Sequence, residues 1–336
     1  MKTRFAKFFV FGLPILVFSV VAAERQRETN TVVQIFAGSG IPGFLDGKGV
    51  ETFFYHPRSM AFSNGVLWVW DEQSRRMRKI AADGTVTSLP SNAFPSGVFD
   101  IAALSDGSIA VAEPYKISKV LPDGSYGVVT GYSTQPGYAD GASVAVRFGT
   151  SFMIAVGPKD VIYVADTVNQ RIRKVADGVV TTLAGSGVQG TQDGRGVFCS
   201  FDQPSGIAVN LAGEIFVMEN TDLSFRKITP EGVVSTVQKL GGFVRANATF
   251  SASPVCLPDG SILAHTLAGE AIARLSSDGT ETILAGGISG LFRGIGDVEF
   301  DGTDSYYVSE YYGHRIFKVT IPRDQPVPPS ALALGN

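Results

Sequence analysis

From residue 31 to residue 320 the chain is a succession of short runs in which apolar and polar positions alternate, and the runs recur in a fixed order. The clearest unit begins at Ile162-Tyr-Val-Ala-Asp166 and continues through Asn169-Gln-Arg-Ile-Arg-Lys-Val175. It turns at Asp177-Gly178 and ends in Val179-Val-Thr-Thr-Leu-Ala184. A period of two in runs rich in β-branched and aromatic residues predicts half-buried strands, and Asp-Gly between two such runs predicts a tight hairpin. The same order returns at 67–71 with 77–80, 109–113 with 117–120, 215–219 with 225–228, 262–265 with 273–275, and 306–310 with 316–319. A complete copy holds four strands. An inner strand such as Pro204-Ser-Gly-Ile-Ala-Val209 comes first, then a second strand that ends on an acid. A third ends on a base and an aliphatic residue, and a fourth resembles Val-Val-Thr-Thr-Leu. Six such units, spaced roughly 40–54 residues apart, predict an all-β fold: a six-bladed β-propeller of four-stranded antiparallel blades.

The ends of the pattern complement each other. The last unit stops after its third strand at residues 314–320, and an unclaimed fourth-strand sequence, Thr31-Val-Val-Gln-Ile-Phe-Ala37, precedes the first unit. Pairing of 31–37 with 314–320 closes the ring and removes two open sheet edges.

Composition agrees and narrows the function. Of 336 residues, 44% are hydrophobic and 18% charged, which excludes disorder, and 39 Gly with 17 Pro exclude a long-helix bundle. Twenty-eight basic against 31 acidic residues leave a net charge of −3, so nucleic acid is not an expected partner. Lys2, Arg4 and Lys7 precede an apolar run over 8–21, and Val21-Ala22-Ala23 offers small residues for cleavage. This predicts a signal peptide over 1–23, or the same segment kept as an uncleaved anchor. A linker over 24–30, the propeller over 31–321 and a Pro-rich tail over 322–336 follow. The expected location is secreted or extracytoplasmic, with no transmembrane domain after cleavage. Cys199 and Cys256 are either one disulfide or two small buried hydrophobes. Asn247-Ala-Thr249 is a glycosylation acceptor if the chain enters a eukaryotic secretory pathway.

Taken together, Leu183-Ala-Gly-Ser-Gly187, Asp193-Gly194, Phe201, Pro204-Ser-Gly-Ile-Ala-Val209, Ile162-Tyr-Val-Ala-Asp166 and Asn169-Gln-Arg-Ile-Arg-Lys174 resemble NHL repeats. The resemblance runs over roughly residues 31–320 and is clearest in the first, third and fourth copies. It implies a propeller, usually of six blades, that most often serves as a binding surface. Some members and neighbours of this class are enzymes: amidating lyases, lactonases and strictosidine-synthase-like proteins.

The polar positions divide into those that repeat and those that do not. Asp71, Glu113, Asp166, Glu219, His265 and Glu310 end the six second strands. A feature present in almost every blade serves blade geometry. Each is expected to face a base across its hairpin: Lys79, Lys119, Lys174, Lys227, Arg274 or Lys318. His56, His265 and His314 occupy different strand positions, so they are not expected to converge on one zinc. Lactonase-type propellers resemble one another in carrying Glu, Asn and Asp on their innermost strands for a divalent cation. Here the inner-strand starts are small and mostly neutral, with Asp100 and Asp297 the acids nearby; two carboxylates and backbone carbonyls could hold a calcium ion, and no other cofactor is indicated.

Three long connections, 38–56, 131–149 and 185–203, lie on the face that carries the hairpins between second and third strands. Each either caps a blade, with Phe53 or Phe54, Phe148 and Phe201 as plugs, or contacts a ligand. Arg58, Asp100, Arg293 and Asp297 at inner-strand starts, with Tyr138 and Arg195 on the loops, are the expected ligand contacts, because they break the repeat. Their mixed charge favours a polar partner: a protein, a glycan or a small polar or zwitterionic ligand. The expected function is a binding module; the alternative is a metal-dependent hydrolase or lyase on the same propeller.

Overall fold

The computed structural model describes residues 31–90, 97–131, 134–220, 224–239, 253–265, 271–276, 280–286 and 291–320. The expected signal peptide, linker, tail and Asn247 acceptor lie outside them. Six antiparallel sheets follow one another along the chain. Blade 1 comprises Pro57–Ser63, Val66–Asp71, Arg76–Ile80 and Thr85–Ser88; blade 2 comprises Asp100–Ala103, Ile109–Glu113, Lys116–Val120 and Tyr126–Thr130. Blade 3 is built from Phe152–Val156, Ile162–Asp166, Arg171–Ala176 and Val179–Ala184, and blade 4 from Pro204–Val209, Ile215–Glu219, Ser224–Ile228 and Val233–Lys239. Blade 5 holds Val255–Cys256, Ile262–His265, Ala271–Leu275 and Glu281–Gly286. Blade 6 holds Ile295–Phe300, Ser305–Glu310 and Arg315–Thr320, and its outer strand is Val32–Ala37. Val32 faces Thr320 and Ile35 faces Phe317 in that pairing, so the N-terminal strand closes the ring as expected. The six inner strands touch in sequence and the sixth touches the first, enclosing a central channel.

The apolar side chains on the two faces of each sheet meet those of its neighbours. Among the described residues the core forms six clusters, one for each interface between adjacent blades. Trp68 and Trp70 of blade 1 meet Ile101, Ile109 and Val111 of blade 2, and Phe216 and Met218 of blade 4 meet Ile262 and Ala264 of blade 5. Burying one such side chain stabilises by about 1.5–3 kcal/mol, so the interfaces between blades carry most of the driving force. Both cysteines are free. Cys199 packs between blades 3 and 4 and Cys256 against the blade 4–5 cluster, on different interfaces, so the disulfide reading gives way to the small-hydrophobe reading.

The long loops cap the blades that follow them. Gly47–Lys48, Gly141–Ala142 and Gly194–Arg195 each add a two-residue strand to an outer edge, opposite Val86, Val180 and Val234. Phe54 rather than Phe53 is the first plug; Phe54, Phe148 and Phe201 are all fully buried. Each loop begins at a glycine that the geometry requires. Gly185 has φ +103°, and a Cβ there would meet the Gln170 carbonyl oxygen at 2.5 Å.

Behind each plug lies a buried arginine. Arg173 donates to Asp166 at 3.0 Å and to Asp140 at 2.6 and 2.9 Å, with its guanidinium 5.3 Å from the Phe148 ring. Arg78 does the same between Asp71 and Asp46, and Arg226 between Glu219 and Asp193. The acid's remaining oxygen capacity holds the lead-in to the inner strand: Asp71 accepts the Tyr55 N–H, Asp166 that of Gly149, Glu219 that of Asp202 and Glu310 that of Arg293. The repeated acids thus tie the second strand to an arginine and to the loop before the inner strand, and their partner is not the predicted lysine. Val69 faces Arg78 and Trp68 faces Lys79. Side chains alternate across a strand, so Arg78 shares the Asp71 side while Lys79 lies on the other, 4.6 Å from the Trp68 ring. Lys119 and Lys227 likewise pair elsewhere, with Asp106 and Glu214. In blade 2 Ser118 occupies the arginine position, and the Ser118 and Tyr126 hydroxyls both donate to Glu113. In blade 6 Arg315 donates to Glu310 at 2.7 Å.

Candidate functional site

The inner strand of a propeller blade has one edge paired and one edge facing the channel, so its channel-side N–H groups need acceptors. Here side chains from neighbouring blades supply them. Asp297 of blade 6 accepts the Met60 N–H of blade 1 at 2.7 Å, and Glu299 accepts the Phe62 N–H at 3.0 Å. Asp100 of blade 2 accepts the Ile154 N–H of blade 3 at 3.0 Å and the Ser59 hydroxyl of blade 1 at 2.7 Å. The Ser253 hydroxyl, next to blade 5, reaches Asp100 from across the ring at 3.3 Å. These acids line a cavity of about 210 Å³ whose other walls include Ala102, Ile154, Ala208 and Val255.

Among the described residues, no basic side chain lines that cavity. Burial pushes the carboxyl of Asp100 above its usual range, and that of Asp297 further, because the charges of Asp100 and Glu299 add to its burial. Burial also lifts Glu299 to about 8. Burial thus favours the protonated form of each of the three carboxyls. Its oxygens are directed at backbone N–H and hydroxyl donors, and the described residues contain no group of three or more His, Cys, Asp or Glu that could hold a metal ion. This donor set does not fit a calcium ion. Glu299 was not among the expected site residues. Its signal was the alternation Asp297-Val-Glu299, which places both acids on one side of the strand.

A second polar group lies where blade 6 meets blade 1. Arg58 donates to Glu72 at 2.9 Å, and the Tyr311 hydroxyl donates to the other Glu72 oxygen at 2.5 Å. The His56 ring is stacked between Tyr311, with centroids 4.3 Å apart, and His314, 5.0 Å apart. Tyr55 and Tyr312 flank His56 edge-on and are exposed. Arg293, also exposed, stands beside them, since its carbonyl accepts the Tyr312 N–H. Two of the three histidines thus come together, because ring closure brings the first and last blades side by side. His265 remains apart, buried at the end of the second strand of blade 5.

The six expected ligand contacts therefore fall into four places. Arg58 and Arg293 both lie at the blade 6–1 seam, and Asp100 and Asp297 both line the channel. Tyr138 and Arg195 join neither. Tyr138 lies under Arg171 and Arg173 on blade 3, its hydroxyl 2.9 Å from that of Thr182, and Arg195 belongs to the edge strand on blade 4. No helix among the described residues is long and apolar enough to cross a membrane.

No family model and no curated protein matches the chain. Solved structures do. One is a structural genomics protein of unknown function from Bacteroides thetaiotaomicron, 17% identical, with a TM-score of 0.64 over 87% of this chain and 76% of that one. A catalytically inactive virginiamycin B lyase from Staphylococcus aureus with quinupristin is 15% identical, with a TM-score of 0.59 over 87% of this chain and all of the other. A gluconolactonase from Xanthomonas campestris is 13% identical, with a TM-score of 0.58 over 80% and 88%. At such identities the likeness is one of fold, and it places this chain among the six-bladed β-propellers.

Proposed function

We propose that the chain is an exported NHL-type propeller that binds a small polar or zwitterionic ligand at the channel mouth, beside the seam of blades 6 and 1. The observation that carries this reading is the Arg58–Glu72–Tyr311 group with His56, Arg293 and the exposed Tyr55 and Tyr312. Arg58 lies where blade 4 carries Ser205, and Tyr55, Tyr312 and Arg293 are exposed. Exposed aromatic edges beside an arginine and a carboxylate offer both stacking and paired hydrogen bonds to a polar molecule. The lyase and lactonase names among the fold neighbours raise the alternative of a hydrolase or lyase. Against it, the channel carboxyls are already engaged by backbone and hydroxyl donors from neighbouring blades.

The test is calorimetric titration of the purified propeller with a panel of neutral sugars, sugar acids and amino acids. It is repeated on Arg58→Ala, Arg293→Ala and the double variant. A ligand whose affinity falls at least tenfold in the double variant, with the fold intact, supports the seam. Unchanged affinity moves the site elsewhere.

A further inference from the structure

At the blade 6–1 seam a pair of histidines takes the place that a pair of glutamines holds at the equivalent junction of blades 3 and 4. There the Gln203 N–H donates to the side-chain oxygen of Gln170 at 2.7 Å. Here the His56 N–H donates to Nδ1 of His314 at 3.3 Å. The positions correspond in detail. His56 and Gln203 have φ of 63° and 53°, and His314 and Gln170 have 58° and 54°. The His56 carbonyl accepts the Glu72 N–H as the Gln203 carbonyl accepts that of Asn220. A Cβ on the loop glycines Gly38 and Gly185 would meet the His314 and Gln170 carbonyl oxygens at 2.6 and 2.5 Å. A glutamine contact between blades, indifferent to pH, has become a histidine contact at the place where the ring closes.

That contact requires a neutral His314. Nδ1 accepts only while it carries no proton; once protonated, it presents an N–H to an N–H and the bond is lost. His56 adds a second cost, because its own Nδ1 is buried with no hydrogen-bond partner. Two stacked imidazolium rings 5.0 Å apart would also repel. The neighbouring charges are largely spoken for. Glu72 faces His56 but is held by Arg58 and the Tyr311 hydroxyl, and Glu310 faces His314 but is held by Arg315 and the Arg293 N–H. The remaining neighbours are the rings of Tyr55, Tyr311 and Tyr312. Burial pulls both imidazoles below their usual range, and for His314 the nearby His56 adds to this.

We propose that His56 and His314 form an acid-release latch at the seam that closes the propeller ring, shut while both imidazoles are neutral and loosened when they take up protons. The sign follows from linkage. A histidine whose folded pKa lies below its unfolded value costs nothing above about pH 6.5, and stability falls as the pH drops from there toward the folded value. The consequence is local, because the interface of blades 3 and 4 has no such group at this position.

The experiment is hydrogen exchange of the whole chain between pH 7.5 and 5, corrected for intrinsic rates and read at residues 53–60 and 311–317. The equivalent segments 200–207 and 167–173 serve as the internal reference. In the wild type, seam opening relative to the reference is expected to rise about tenfold or more across this range. In the His56→Gln, His314→Gln double variant, which installs the blade 3–4 contact at the seam, the rise disappears. An equal rise in the double variant, or equal behaviour of the two seams in the wild type, overturns the proposal. A wild-type NMR titration gives a second reading that needs no variant: both imidazoles titrating at or above about 6.5 would also overturn it.

Discussion

Asp166→Ala is the sharpest test of how the blades are held. The substitution removes the acceptor of the Gly149 N–H at 2.9 Å, of the Asn169 amide at 2.8 Å and of Arg173 at 3.0 Å. Asp166 and Arg173 are both wholly buried, so water cannot replace the lost partner. Removing one member of such a pair costs about 3–5 kcal/mol, because a charge stays buried without its counterpart. The loss is offset in part, since Arg173 keeps Asp140 and the Ala139 and Arg147 carbonyls. We expect a net loss of about 3 kcal/mol, well above the ~1 kcal/mol of an ordinary hydrogen bond. Equilibrium urea unfolding should show this as a lower midpoint at constant slope. Asp140→Ala, whose carboxylate is partly solvated, should cost less, about 1–2 kcal/mol. A loss under 1 kcal/mol for Asp166→Ala, or a larger loss for Asp140→Ala, would refute the buried-arginine account.

Two further outcomes follow from the channel and the ring. Glu299 is lifted from 4.5 to about 8, so its contribution to stability is complete below about 4.5 and is lost as the pH rises through about 8. Glu299→Gln keeps an acceptor for the Phe62 N–H. It should flatten the decline in stability between about pH 5 and 8, where the slope from one proton is at most about 1.4 kcal/mol per pH unit; an unchanged dependence on pH in urea unfolding would show that Glu299 is ionised throughout. Deleting residues 31–37 exposes the edge of Arg315–Thr320, and size-exclusion chromatography should show association. A monomer with unchanged melting would sink the closure model.

The architecture was legible because each blade repeats one period-two pattern, and its turns are marked by Asp-Gly and its relatives. Even closure could be read, from a strand missing at one end and spare at the other. The identity of the acid's partner could not be fixed by counting along the chain. Arg78 and Lys79 are adjacent, and only the register of Val69 with Arg78 decides which of them shares a side with Asp71. The histidine pair was hidden for another reason. His56 and His314 are separated by nearly the whole propeller, and each looked like ordinary variation within its own repeat. Glu299 lies past the strand start, and its carboxyl answers an N–H one pleat deeper in the neighbouring blade, a partner that only the assembled ring supplies.

The pairing of Val32 with Thr320 also has a consequence for how the protein comes into being. Of the propeller's strands, the first to be synthesised belongs to the last blade to be completed. Blades 1 to 5 are contiguous in sequence and can form as they are synthesised, but the sixth cannot until almost the entire propeller has emerged. Until then the chain carries two unsatisfied edges, the early strand and the growing end of the array, and the contact that joins them spans the longest separation in the fold. Loop-closure entropy grows only logarithmically with that separation, so the finished ring loses little stability by being closed this way. The cost is kinetic: such long-range pairing is slow, and the nascent chain must be kept from pairing with other strands while the early one waits for its partner.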